Sequence, residues 1–428
     1  MIAFEQYEGH LAGLLDHLIE RNPAATQAAV SLALDGQPRR ILRMVVEQEA
    51  LDGAGAFFTG HRLAGRLVAP WKQEIRGGDI KIFDAACGAG DLLLAAARLL
   101  PVRRTLSATL RLWSANLFGC DMHPTFVRTT KLRLAILASQ RCSIRDKVRL
   151  DGDLFPGIVC GNFLQGRRLA GMTHIIMNPP FTLANAAASC EWAQGLVNQA
   201  GVFLHKGLES ASPSAKFAAI LPDVLRTGSR YRRWRQAIEK LATVESITVE
   251  GRFDSVADVD VFFLNLVRQD SVVGSNARWW IENRANTVSD CFQVNVGSVV
   301  PHRDLQVGNR VPFFDTGCTP VWSTIRQSVV SRKYSGRVFE SPFVVVRRTS
   351  SPSDRHRATA SIIAIDSPAA VENHLLVLTP KDKKIKTCQR LMTSLKQDKV
   401  SRWLNKRIRC RHLTVGAVGK IPFLKETA

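Results

Sequence analysis

Short apolar strands alternating with helical stretches over residues 55–272 predict an α/β protein. Repeated strand–helix units build a mostly parallel, Rossmann-like sheet with helices on both faces. Two further observations frame that sheet. A helical segment precedes it over residues 1–54. Beyond residue 273 the pattern changes to strands and turns, punctuated by Pro301, Pro312, Pro320, Pro342 and Pro352, which predicts a C-terminal α+β domain. Charge marks the same boundary. Residues 271–428 hold 26 Lys+Arg and 11 Asp+Glu, a net of +15, out of +21 for all 428 residues.

Taken in order, Leu11, Leu14, Leu15 and Leu18 follow helical spacing until Asn22-Pro23 ends the run, and a second apolar-periodic run covers Ala28–Val46. Ile80–Phe83 reads as a strand, followed by a glycine turn and the helix Asp91–Leu100. Leu117–Cys120 is the next strand, with helical Phe126–Ser139 after it. Gly157–Val159, His174–Met177, Lys216–Leu221 and Val261–Val267 complete the strands, with helical Tyr231–Thr243 before the last. A helix over Thr387–Asn405 lies near the end. Ligands in such sheets bind outside the carboxyl ends of the strands, so the segments that follow strands are where chemistry is expected.

Composition excludes several classes. The apolar fraction of 46% supports true cores, and no apolar run approaches the roughly 18–20 residues that span a bilayer, so no membrane association is expected. Met1-Ile2-Ala3-Phe4-Glu5 lacks the basic start of a signal peptide. Nine cysteines without a Cys-x-x-Cys pair predict reduced thiols and a cytoplasmic protein. His374, Cys410 and His412 are not spaced as a zinc site, and no metal is expected. The excess of basic residues points to a polyanionic partner.

Four segments carry chemistry. In Asp84-Ala85-Ala86-Cys87-Gly88-Ala89-Gly90, a strand ends in an acid and turns through two glycines into a helix. Leu93 stands where a dinucleotide fingerprint needs its third glycine, which disfavours nicotinamide cofactors. By itself the turn serves a tight strand-to-helix connection equally well. Asp121-Met122 follows the second strand, where a carboxylate can accept from both hydroxyls of a ribose. Asn178-Pro179-Pro180-Phe181 follows a later strand; the prolines hold Asn178 extended at the strand end. Two neutral acceptors, the Asn178 side-chain oxygen and the Pro179 carbonyl, suit transfer to a planar, poorly nucleophilic amine. Phe57-Phe58-Thr59-Gly60 lies upstream of the glycine turn.

In this order the four segments resemble the N6-adenine DNA methyltransferases of the amino-methylating, Asn-Pro-Pro-Phe class, in restriction-modification or phage-defence systems. The resemblance covers about residues 55–270 and extends to Ala219–Pro222 and Phe253–Val256. It implies a methyltransferase sheet that uses S-adenosylmethionine as cofactor, with Phe58, Thr59, Asp84, Ala86, Cys87, Gly88, Gly90, Asp121, Met122, Asn162 and Phe163 around it. It implies catalysis by Asn178, Pro179, Pro180 and Phe181 on an adenine extruded from double-stranded DNA, with Phe181 stacked on the base. Residues 273–428 would then be the target-recognition domain, with Lys381, Lys383, Lys384, Lys386, Arg407, Arg409 and Arg411 as phosphate contacts. A restriction or defence partner subunit is implied as well. Gly60 and Ala85 replace the family's usual prolines, and Asn162 replaces an aspartate. The alternatives are transfer to an RNA adenine or a protein glutamine, or a DNA-binding subunit with a degenerate cofactor pocket.

Overall fold

Seven strands form the central sheet of the computed structural model, which describes residues 2–20, 26–38, 40–41, 59–146, 154–166, 169–187, 190–253, 259–270, 277–280 and 286–423. Phe57 and Phe58, residues 42–46 of the second helical run, Asp254–Val256 and the boundary stretch 271–276 lie outside the described residues. The strands are β1 (Ile82–Asp84), β2 (Leu117–Asp121), β3 (Ile158–Cys160), β4 (His174–Met177), β7 (Lys216–Pro222), β8 (Ala242–Arg252) and β9 (Asp260–Arg268), with a separate hairpin of β5 (Leu183–Asn185) and β6 (Leu196–Asn198). Their order across the sheet is β3-β2-β1-β4-β7-β9-β8. The first five are parallel, and β9 runs antiparallel to both β7 and β8. This is the Rossmann-like α/β class that the alternation predicts.

The chain divides into two units, Met1–Leu225 with Tyr231–Ala277, and Arg226–Arg230 with Arg278–Ala428. Residues 226–230 thus belong to the second unit although they interrupt the first in sequence. By composition the first unit has 30 basic and 26 acidic residues, a net of +4, and the second has 28 and 11, a net of +17.

In the first unit, the helix Ile2–Ile19 turns Tyr7, Leu11, Leu15 and Leu18 inward, at the spacing of one helix face, and packs them against the helix Pro124–Arg141. The central strands are buried on both faces, so they read as unbroken apolar runs. Several elements depart from the sequence reading, and two of them show why. The helix predicted over Tyr231–Thr243 ends at Leu241, and Ala242–Arg252 is a strand. β8 is an edge strand with two irregularities in its pairing and most residues partly or fully exposed, so it lacks the apolar run of an inner strand. The helix Leu106–Asn116 also went unpredicted. Its first N–H groups are capped by Thr105 Oγ1, which accepts from Ala108, and by Asp146, which accepts from Ser107.

In the second unit, β10 (Phe343–Arg347) and β11 (Leu375–Pro380) lie at the centre of a five-stranded sheet. Val344, Val346, Leu376 and Leu378 face a core shared with Leu391, Leu395 and Leu404, whereas Phe343, Val345, Leu375 and Val377 face a second core with Phe314. Period-two alternation therefore supplies both faces. The single helix predicted over Thr387–Asn405 is two, Ile385–Leu395 and Asp398–Arg407. The buried Arg357 donates to Asn405 Oδ1 and to the carbonyls of Ile408 and Cys410, which orders the chain after the second of these helices.

Gly90 shows how tightly the turn after β1 is built. It has φ +87°, and a Cβ there would lie 2.8 Å from Thr130 Cγ2. Both the left-handed conformation and the contact oppose any side chain. Gly90→Ala is expected to cost about 2 kcal/mol or more in urea unfolding; an unchanged midpoint would show that the turn adapts.

Candidate active site

A cavity of about 370 Å³ opens where β1, β2, β3 and β4 end. That volume is ordinary for a small-molecule site. β1 pairs with β2 on one side and β4 on the other, with Asp84 opposite Gly119 and Ile176, so the turns after all three strands converge. The site residues that line the cavity are Thr59, Asp84, Ala86, Cys87, Gly88, Asp121, Met122, Asn162, Phe163, Asn178 and Pro180. Gly90, Pro179 and Phe181 are not in its wall. Phe58 lies outside the described residues.

The glycine turn is held from below. Cys87 N–H donates to the Cys120 carbonyl at 3.0 Å, Gly90 N–H to the Cys87 carbonyl at 2.8 Å, and Thr130 Oγ1 to the Gly88 carbonyl at 2.8 Å. Gly88 N–H donates to Asp121 Oδ2 at 2.9 Å, joining the first two motifs directly. The other Asp121 oxygen accepts from His123 N–H at 3.0 Å. Burial raises the Asp121 carboxyl, against the pull of these N–H groups. The Cys87 thiol is pushed well up by burial and by the nearby Asp84 and Asp121, so it stays protonated and serves packing.

Asp84 is the most isolated carboxyl. It is 1% exposed; Oδ1 accepts from Ala86 N–H at 3.2 Å, and no donor reaches Oδ2 among the described residues. A buried, half-satisfied acceptor in a cavity wall suits a ligand donor or cation. Asp84, Asp91 and Asp121 all line the cavity, and no Lys or Arg does among the described residues. That charge repels phosphate-bearing cofactors and fits a cationic one, while Phe126, Phe163 and Phe203 supply apolar wall for a ring. Phe163 stacks on Phe203 at 5.5 Å.

The departures from the resembled pattern have local reasons. Gly60 has φ +72° and donates its N–H to Asp91 Oδ2 at 2.8 Å; proline can do neither. Ala85 N–H donates to the Ile176 carbonyl at 3.4 Å, again a bond that proline would remove. Asn162 Oδ1 accepts from Leu164 N–H at 2.9 Å, which shapes the turn after β3. Asn178 is half-buried, and its Nδ2 donates to Thr59 Oγ1 at 3.0 Å. The half-buried Phe181 sets its ring edge-on to Phe253 at 5.7 Å, and its carbonyl accepts from Asn198 Nδ2 at 2.7 Å.

Sequence reasoning missed Asp91, His123, Phe126, Thr182, Gln199 and Phe203 in the cavity wall. Asp91 was within reach, because it directly follows Gly90 as the first residue of a helix. Thr182, Gln199 and Phe203 arrive through the β5–β6 hairpin, which has no sequence signature of its own.

Of the basic candidates, Lys381, Lys383 and Lys384 are exposed at the turn between β11 and the helix Ile385–Leu395, and Lys386 is exposed in that helix's first turn. Arg411 is exposed, Arg409 is half-buried, and the half-buried Arg407 lays its guanidinium over the Trp280 ring at 4.3 Å. Among the described residues no three His, Cys, Asp or Glu side chains could hold a metal ion, and no helix is long and apolar enough to cross a membrane.

No family model matches the chain, and no curated protein matches it. Similar solved structures include the type IIL restriction-modification enzyme MmeI in complex with DNA, at 12% identity over 92% of this chain and 67% of that one, with a TM-score of 0.49. The type IIG restriction endonuclease BpuSI matches at 14% identity over 92% and 61%, with a TM-score of 0.48. A modification subunit of a putative type I restriction enzyme from Vibrio vulnificus YJ016 matches at 16% identity over 58% and 50%, with a TM-score of 0.43, so the chain spans half of that protein. Likeness of this degree bears on neither activity nor substrate.

The raised Asp84 carboxyl has a consequence for stability. Burial is the main cause, and with repulsion from Asp121 and Asp91 it moves the group from 3.8 to about 8, against the Ala86 N–H. The folded protein therefore holds this proton more tightly than the unfolded chain does. Its contribution to stability is complete below about pH 4 and is lost as pH rises towards 8. Ligand-free protein should lose melting temperature across that window, and Asp84→Asn should flatten the slope. Parallel profiles for the two proteins would show that Asp84 is ionised when folded.

Proposed function

We propose that the chain is an S-adenosylmethionine-dependent methyltransferase acting on the N6 amine of an adenine extruded from double-stranded DNA, in a restriction-modification or defence setting. The observation that carries the reading is the convergence of Asn178, Thr59, the Asp84–Gly88 turn and Asp121 on one acidic cavity. The residues present fit the cofactor by the chemistry of its donors. Asp84 Oδ2 suits an ammonium, Asp121 a pair of ribose hydroxyls, and Phe163 and Asn162 an adenine ring and its amine. When bound, S-adenosylmethionine supplies an electrophilic methyl group on a sulfonium.

The protein's part is acceptance and orientation. The lone pair of an adenine N6 is delocalised into the ring. The Asn178 side-chain oxygen and the Pro179 carbonyl each accept one N6 hydrogen, drawing the nitrogen towards tetrahedral geometry and freeing its lone pair for the methyl group. Pro179 and Pro180 fix the backbone that carries both acceptors. Phe181 stacks on the base with the exposed part of its ring. The departing proton needs no ionised base in the site, because two neutral acceptors carry the partial charge until solvent takes it.

The second unit, with its net +17, supplies phosphate contacts through the exposed Lys381, Lys383, Lys384 and Lys386. Arg407 is better placed to brace Trp280 than to meet phosphate. Incubation with methyl-labelled cofactor and either mixed-sequence DNA, RNA or glutamine-bearing protein should label N6 of adenine in DNA. Asn178→Ala should lower transfer by about 10²-fold or more, with cofactor binding retained. Label appearing in RNA or protein alone would assign a different substrate, and no label in any would exclude the enzyme.

Replacing the four lysines by Gln should weaken DNA binding and flatten its salt dependence by up to about 0.9 in log–log slope per lost contact, and leave cofactor affinity unchanged. Equal loss of both would contradict this division of labour.

A further inference from the structure

The carboxamide of Asn178 needs a partner of its own. The terminal torsion of an asparagine is soft and broad, unlike the staggered torsions nearer the backbone, so prolines that fix the backbone leave the amide plane free to turn. A transfer that depends on the direction of the Asn178 oxygen needs that torsion held. Within the cavity, Asn178 Nδ2 donates to Thr59 Oγ1 at 3.0 Å, and Thr59 is 8% exposed. Thr59 comes from 119 residues upstream, so its placement depends on what anchors the Thr59–Gly60 corner, where the helix His61–Val68 begins.

The anchor is a buried ionic clamp. Gly60 N–H, one residue after Thr59, donates to Asp91 Oδ2 at 2.8 Å. Asp91 Oδ1 accepts from Arg133 Nη1 at 3.0 Å. Arg133 is wholly buried; the same nitrogen donates to the Ala89 carbonyl in the glycine turn, and Nε donates to the Ala33 carbonyl at 2.8 Å. One guanidinium therefore ties the N-terminal helical segment, the glycine turn and the Thr59–Gly60 corner together. Only glycine gives that corner both its φ of +72° and its donor.

We propose that Thr59 is a positioning residue that locks the Asn178 carboxamide, and that the Asp91–Arg133 pair and Gly60 hold Thr59 in place for it. The inference rests on the methyltransferase reading and gives Thr59 a task beyond lining the cofactor's cavity. The amide nitrogen donates to the threonine hydroxyl, which fixes the plane of the carboxamide and with it the direction of the amide oxygen.

The test compares Thr59→Val, which keeps the shape and removes the hydroxyl, with Thr59→Ser, which keeps the hydroxyl. At saturating S-adenosylmethionine, Thr59→Val should lower kcat for adenine methylation about tenfold or more. Thr59→Ser should restore most of the rate. In protein labelled with ¹⁵N on asparagine side chains, the Asn178 amide pair, assigned by its loss in Asn178→Ser, should exchange slowly with solvent in wild type and Thr59→Ser and rapidly in Thr59→Val. An unchanged exchange rate in Thr59→Val overturns the proposal, as does a rate loss that appears wholly in cofactor affinity or that Thr59→Ser fails to rescue. If wild type methylates nothing, the methyltransferase reading fails, and the exchange comparison alone then decides whether Thr59 holds Asn178.

Discussion

The position of β1 between β2 and β4 is the constraint on which the site depends. A parallel strand flanked on both sides ends level with its neighbours, so the turns that leave the three strands meet. Asp84, Asp121 and Asn178 are far apart in sequence and share one cavity for that reason. Moving β1 by one residue would turn the carboxyl of Asp84 to the other face of the sheet. Burial on both faces resists such a shift, because Ile82, Phe83, Ile175 and Ile176 are all packed.

Electrostatics follows from that geometry. Three carboxyls converge on a space lined by no cation among the described residues, and nearby Arg133 is committed to Asp91 and backbone carbonyls. Burial leaves Asp84 protonated up to about pH 8, which relieves the mutual repulsion of the group. A cationic ligand would relieve it more, since a nearby positive charge also favours ionisation of Asp84. The basic residues that dominate the composition reside mostly in the other unit, where exposed lysines suit a polyanion. Opposite charge preferences in the two units allow one chain to hold a cationic cofactor and an anionic polymer.

Much of this was legible in the residues, for physical reasons that differ by element. Inner strands such as His174–Met177 announce themselves because burial on both faces demands an apolar run, and the bounds read from sequence match those observed. The glycine turn and Asn178-Pro179-Pro180 were visible because backbone constraints require particular residue types. The edge strand Ala242–Arg252 was not, since an exposed, irregular edge tolerates polar residues that also suit a helix end. Nor was the clamp on Thr59: Arg133 sits 42 residues from Asp91, and nothing in the sequence of the helix Pro124–Arg141 marks which of its arginines will be buried. The opening of the second unit's helix pair at Lys396-Gln397 was hidden because both helices carry the same apolar periodicity.

The most direct measurement is calorimetric titration of the purified protein with S-adenosylmethionine and, separately, with ATP. An acidic cavity that takes a cationic cofactor should bind S-adenosylmethionine at one site per chain, lose about tenfold or more in affinity on Asp121→Ala, and show no competition from ATP. Tight ATP binding at this cavity, or S-adenosylmethionine binding that Asp121→Ala leaves unchanged, would contradict the assignment of the cavity.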